Sequence, residues 1–201
     1  MIATRVGIGL TAAAVAGGAA VAVRRGSTRS IDHAVRRRIH PRRSARVTAV
    51  AKGVSFLAGP HVHPFAAAVL GILLRAERGS GGFGPSAASV GAFGIDNGAR
   101  IFLHQKRPPK AGKHHSRYRY AYPSGHTTAA TAIGVAAASA VVGDLPRSQQ
   151  ALVWAMVATV ALAVGWSRLY LDEHWLDDVV GGWMAGTVVG LAAASLDESL
   201  S

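Results

Sequence analysis

Cysteine is absent from all 201 residues, which removes disulfides, thiolate metal sites and a thiol nucleophile, and is neutral about location. Charge is sparse, at 16% of residues, and acidic charge sparser still, with 10 Asp and Glu against 22 Lys and Arg. Aromatics make up 6%, and Arg24 to Arg46, the most basic stretch, contains none, which argues against a nucleic-acid arm built on base stacking. A repeat of fixed period and a long low-complexity tract are also missing. What remains is half apolar, with a mean hydropathy of +0.26, too oily for an ordinary soluble domain of this length. The net charge of +12 is confined to short segments between Ala/Val/Gly/Leu runs and suits anionic partners.

A bilayer core of about 30 Å needs about 20 mainly apolar residues per helix. Six runs qualify: Val6 to Val23, Val47 to Leu74, Ser86 to Leu103, Ser124 to Val142, Ala151 to Trp166 and Trp175 to Ser195. The expected fold is therefore an all-α, multi-pass transmembrane helix bundle of about six spans, with its site at one membrane face. The first run can also be read as a signal peptide, with Arg5 before it and Ala20-Val21-Ala22 resembling a cleavage site, but its length favours a retained helix. Between the first two runs, Ile31, Val35 and Ile39 recur beside Arg36, Arg37 and Arg38 and end at Pro41, which reads as an amphipathic surface helix or as a solvated basic loop. The chain divides into residues 1–46, a span plus this basic segment, and 47–201, the helix-bundle core. Pro60 and Pro64 predict a kink or break in the second run. His61 and His63 lie within it, but with no acidic or third ligand nearby they do not read as a metal site. Gly182, Gly186 and Gly190 give the last span a face without side chains, where a neighbour can approach closely.

Polar residues at the rims of apolar spans are costly and mark where function resides. Three groups stand out. Arg100 and Arg107, seven apart, share a helical face and can direct two forked guanidiniums at one anion, with Asp96 one turn before Arg100 to hold it. Pro123-Ser124-Gly125-His126 precedes a long Ala-rich helix whose first N–H groups and dipole form an anion cradle, and His126 in its first turn can protonate a leaving oxygen. In Ser167-Arg168 to Asp178, His174 and Asp178 are four apart at a helix start. The carboxylate can bind one ring nitrogen and leave the other as a nucleophile, while Arg168 adds a cation for developing phosphorane charge. Asp177, on a different face, reads as a surface or capping residue. Each group alone also reads as caps and interfacial cations. If the spans alternate in direction, all three meet on one face and form a complete phosphoryl-transfer constellation.

These residues resemble the signature of the type 2 phosphatidic acid phosphatase family, related to lipid phosphate phosphatases and vanadium haloperoxidases: Lys-x6-Arg-Pro, Pro-Ser-Gly-His and Ser-Arg-x5-His-x3-Asp. The second and third parts match at Pro123 to His126 and Ser167 to Asp178; in the first, Arg100 stands where the family has Lys. The resemblance implies a metal-independent lipid phosphatase without a cofactor. It implies that His174 forms a phosphoenzyme, Asp178 orients it, and His126 protonates the leaving alkoxide and then activates water. Arg100, Arg107, Arg168, Ser124 and Gly125 would bind the phosphate. Polyprenyl diphosphate, phosphatidic acid-type lipids and polyprenyl sugar-phosphates all fit as substrates. A vanadate-dependent haloperoxidase would use the same residues, but those relatives are larger and soluble; a catalytically idle lipid-binding membrane protein would not need His126, His174 and Asp178. Oligomeric state is open, and the partners expected are the lipid substrate and the bilayer, with no nucleic acid. The positive-inside rule turns the signature face towards the cytoplasm, whereas the resemblance implies an extracytoplasmic site.

Overall fold

The structure, a computed structural model, describes residues 20–39, 43–78, 81–109 and 120–201, together with four isolated positions before residue 20. Most of the first expected span, Val6 to Val23, and the Pro41 end of the basic segment lie outside the described residues. Among the described residues the chain is all-α apart from an isolated antiparallel bridge between Lys106 and Tyr120. The helices are α1 (Arg29–Ile39), α2 (Ala45–Leu57), α3 (His63–Arg78), α4 (Gly84–Phe102), α5 (Gly125–Val141), α6 (Arg147–Tyr170) and α7 (Leu176–Ser199).

Among the described residues three helices are long and apolar enough to cross a membrane: Gly125–Asp144, which is α5 with a short 3-10 extension, then α6 and α7. Large apolar side chains that would be anomalous in water are exposed on the outside of the bundle, including Val90, Phe93, Phe102, Leu152, Met156 and Leu162. The protein is thus a membrane protein, and these side chains form its lipid-facing surface.

The bundle centres on α5, between α4 and α7. Its core is a seam of alanines: Ala88 and Ala92 from α4, Ala129, Ala132 and Ala136 from α5, and Ala193 from α7. Small side chains let the backbones come close, and the expected glycine face of α7 takes this further. A Cβ on Gly186 would lie 2.6 Å from the Thr128 carbonyl oxygen, and one on Gly190 2.6 Å from that of Ala132, so α7 presses directly on α5. This seam fixes the starts of α5 and α7 side by side. Across it the Ser124 N–H donates to the Asp178 carbonyl at 2.9 Å and joins two of the predicted groups through the backbone.

The second expected span does break, but with a consequence that periodicity did not indicate. Residues 58–62 interrupt it, and the half before the break, α2, has 13 residues, about 20 Å of helix, shorter than a bilayer core of about 30 Å. Both ends of α2 are tied to the same end of α6: the Ser44 N–H donates to Tyr170 Oη at 2.8 Å, and Arg168 donates to Ser55 Oγ. Helix α2 therefore lies across the mouth of the bundle. Only α3 runs into the bundle, and its 16 residues cover about 24 Å.

The basic segment is helical, and it is docked rather than loose. Thr28 donates to Asp177 Oδ2 at 2.6 Å, the Asp177 N–H donates to Asp32 at 3.1 Å, and Arg36 Nε meets Asp172 Oδ1 at 3.0 Å. Burial, then the neighbouring charge of Asp177, pushes the Asp32 carboxyl up to about 7. Helix α1 is thus held over the start of α7, at the signature end of the bundle.

Candidate active site

Every predicted site residue lies at this end; Arg100, Arg107, Gly125, His126, Arg168 and His174 line one chamber, while Ser124 and Asp178 are buried and are not among its walls. Its walls include Asp96, Arg100, Arg107, Gly125, His126, Arg168 and His174, and its volume is about 110 Å³. The end of α4 carries Arg100, the following loop Arg107, the first turn of α5 Gly125 and His126, the last turn of α6 Arg168, and the short link into α7 His174. The packing of α4, α5 and α7 side by side and the short link from α6 into α7 produce this convergence.

His174 and Asp178 are both buried. Asp178 Oδ2 accepts the Trp175 N–H at 2.8 Å and lies 3.3 Å from His174 Nδ1. On the other side of the ring, Arg107 Nη1 is 3.1 Å from His174 Nε2. A guanidinium has only donors, so Nε2 must accept, and the proton belongs on Nδ1 facing the carboxylate. Burial first, then the positive neighbours Arg107, Arg168, His126 and Arg100, hold the imidazole well below its ordinary pKa and keep it neutral. A neutral ring with its Nδ1 proton pinned and its Nε2 lone pair facing the chamber has the form that a nucleophile needs at ordinary pH.

The cations are positioned with similar economy. Asp96 Oδ2 pairs with Arg100 Nη2 at 2.8 Å across one turn of α4. Gly125 is needed for this pair: a Cβ there would sit 2.7 Å from the same Asp96 oxygen. Arg107 Nη1 also donates to the Glu173 carbonyl oxygen at 2.6 Å. Ser124 departs in one detail from the cradle read in the sequence, since its N–H is committed to Asp178. Its hydroxyl oxygen accepts from Thr127 Oγ1 at 2.9 Å, and its fully buried side chain does not line the chamber. The cradle N–H groups are then those of Gly125 and His126, which helix geometry leaves without intrahelical acceptors.

Several participants were not anticipated. Glu173 Oε2 lies 3.6 Å from both Arg107 Nη1 and Arg168 Nη2, so a carboxylate bridges two of the three chamber arginines. Asp172, at a positive φ of 53° and buried, receives Arg36 and Arg43. Asp177, read as a cap, accepts from both Thr28 and Gln105 and so clamps α1 and the Arg107 loop to α7. His63 lines the chamber with its Nδ1 3.0 Å from Ser89 Oγ. A dense acidic run in an otherwise basic chain was the available signal, because Asp172, Glu173, Asp177 and Asp178 make up four of the ten acidic residues.

A family model, that of the PAP2 superfamily, matches residues 87–199, more than half of the chain and every predicted site residue. The chain belongs to the PAP2 superfamily. Two curated relatives share part of it. Phosphatidylglycerophosphatase B of Bacillus subtilis is 30% identical over 83 residues, and an undecaprenyl-diphosphatase of Sulfolobus acidocaldarius is 26% identical over 80. Each stretch is 40% of this chain and spans only 41% and 35% of the respective relative. The crystal structure of a transmembrane PAP2-type phosphatidylglycerolphosphate phosphatase from Bacillus subtilis superposes with a TM-score of 0.84 over 96% of this chain and 97% of that one, at 21% identity. This PAP2 chain thus shares the transmembrane fold along nearly its whole length.

Proposed function

We propose that this PAP2 chain is a membrane lipid phosphatase that cleaves a lipid phosphomonoester or diphosphate through a phosphohistidine on His174. The observation that carries the reading is the buried His174, with Nδ1 facing Asp178 and Nε2 facing a chamber walled by Arg100, Arg107 and Arg168. Nε2 attacks phosphorus while the guanidiniums and the Gly125 and His126 N–H groups take the charge on the equatorial oxygens. As the bond to the leaving oxygen breaks, His126 gives that oxygen its proton; the neutral His126 then takes a proton from water, which attacks the phosphohistidine and releases phosphate. Arg107 now touches Nε2, so arrival of a phosphate has to draw it from the ring to an oxygen. Arginine at position 100 keeps the charge of the family lysine in a forked form, held by Asp96. Three apolar spanning helices favour a lipid phosphatase over a soluble haloperoxidase.

Detergent-purified protein should release phosphate from at least one of polyprenyl diphosphate, phosphatidic acid, phosphatidylglycerol phosphate and polyprenyl sugar-phosphate. Release should persist in EDTA, because a chamber of guanidiniums repels a divalent cation. Release abolished by EDTA, or absent with every lipid, would overturn the reading.

We infer further that the site faces the cytoplasm. Arg24, Arg25, Arg29, Arg37 and Arg38 lie on or beside α1, which folds onto the site end, and none of them lines the phosphate chamber. The cysteine-free chain permits a direct test with Ser148→Cys, an exposed position at the opposite end of α6. An impermeant maleimide should label it in intact cells. Labelling only after permeabilisation would put the site outside.

A further inference from the structure

Two larger cavities adjoin the phosphate chamber, and in-line geometry assigns them different roles. In displacement at phosphorus the attacking and leaving atoms lie on opposite sides, so the leaving group extends away from His174 Nε2 and past the proton donor His126. A cavity of about 550 Å³ shares His126 and Arg168 with the chamber and is enclosed by α2 and the end of α6. The other, about 580 Å³, meets the site at Arg107 and Trp175 and does not include His126 among its walls. The first is therefore the leaving-group cavity.

Its apolar wall, with Phe56, Pro60 and Leu171, suits a lipid, but it also carries cations that an uncharged leaving group would not use. Lys52 projects from α2 with no ion-pair partner among the described residues. Arg43 Nη1 pairs with Asp172 Oδ2 at 2.8 Å, while its Nε and Nη2 are buried without hydrogen-bond partners. Arg168 Nε, on the wall shared with the chamber, is buried and unpartnered in the same way. Lys52 itself is exposed, Arg43 also stacks on the Tyr170 ring, and Asp172 and Glu173 share the wall, but the buried guanidinium nitrogens call for an acceptor, and charge-assisted bonds to phosphate are the strongest that a guanidinium or ammonium can make. Lys52 and Arg43 do not line the phosphate chamber, so the anion that satisfies them is a second one.

We propose that Lys52 and Arg43 form a second anion subsite, which receives a phosphate carried by the leaving group and makes the enzyme selective for lipids bearing two phosphates. This rests on the phosphatase reading above. With a lipid diphosphate, the terminal phosphoryl group moves to His174 Nε2, and the bridging oxygen keeps the bonding pair and takes the His126 proton. The departing lipid monophosphate is held by Lys52 and Arg43. A phosphate set further away, in a glycerol headgroup, would use the same cations.

The test compares kcat/KM for polyprenyl diphosphate, phosphatidylglycerol phosphate, phosphatidic acid and polyprenyl monophosphate in the wild type and Lys52→Gln. The wild type should prefer one of the two-phosphate lipids, and the preference ratio over the monophosphates should fall about tenfold in Lys52→Gln. The lipid that carries the loss distinguishes an adjacent from a headgroup phosphate, and an unchanged ratio would overturn the subsite. Binding of a polyprenyl methylenediphosphonate against a polyprenyl phosphonate to His174→Ala protein is independent of turnover. Tighter binding of the diphosphonate, by about tenfold and lost with Lys52→Gln, supports the subsite even if no lipid is hydrolysed, in which case the phosphatase reading alone fails. Equal affinities overturn the subsite even if hydrolysis is intact.

Discussion

His174→Ala is expected to lower lipid phosphate release by about 10⁴-fold or more, and Asp178→Asn by about 10²–10⁴-fold, with the chain still folded. The alanine variant removes Nε2, the atom proposed to attack. The asparagine variant tests the finer point. Asp178 Oδ2 faces Nδ1 and accepts the Trp175 N–H, and an amide can still satisfy Trp175 through its oxygen. Because that same oxygen position also faces Nδ1, the tautomer is kept, but the carboxylate charge that offsets the positive charge developing on the ring as Nε2 attacks is lost. The loss should fall on kcat more than on KM, because the chamber arginines proposed to bind phosphate are untouched. Steady-state phosphate release beside a thermal melt in detergent checks both variants. An Asp178→Asn enzyme within a few-fold of wild type would remove the carboxylate from the mechanism.

His126→Ala is expected to behave differently on different leaving groups. With an alkyl phosphate, expulsion of a strongly basic alkoxide depends on the proton, and the rate should fall about 10²–10⁴-fold. With p-nitrophenyl phosphate the phenolate leaves without protonation, so the first step survives. The second step still lacks its base, and the phosphohistidine accumulates. Rapid mixing should therefore show a burst of about one nitrophenolate per protein followed by slow turnover. An equal loss on both substrates, without a burst, would mean that His126 only positions phosphate. Its place on the walls of both the phosphate chamber and the leaving-group cavity is the geometry behind this prediction.

The residues that form the chamber were legible in the sequence because cost makes them conspicuous: arginines, histidines and carboxylates at the rims of apolar helices have few structural reasons to be there. The Asp96–Arg100 pair and the glycine face of α7 were legible too, since each is set by helical spacing alone. What hid were contacts between parts of the chain far apart in sequence. Arg36 reaches Asp172 across 136 residues and Thr28 reaches Asp177 across 149, and no local pattern encodes either pairing. Helix α2 was misjudged for a related reason. Its apolar residues read as the start of a span, but Ser44, Ser55 and Lys52, the polar residues that hold it across the mouth or line the cavity beneath it, disclose their purpose only beside Tyr170 and Arg168. Glu173 hid in plain view next to His174, because a carboxylate bridging two phosphate-binding arginines runs against the charge logic used to find them.

The central claim, covalent catalysis at His174, is tested most directly by trapping the intermediate. His126→Ala protein incubated with a ³²P-labelled lipid substrate or aryl phosphate, quenched in alkali and digested, should carry label that is stable in base and lost in mild acid, on the peptide containing His174. The His126→Ala, His174→Ala double variant should carry none. Label that survives acid, maps to another residue or persists in the double variant would contradict the account.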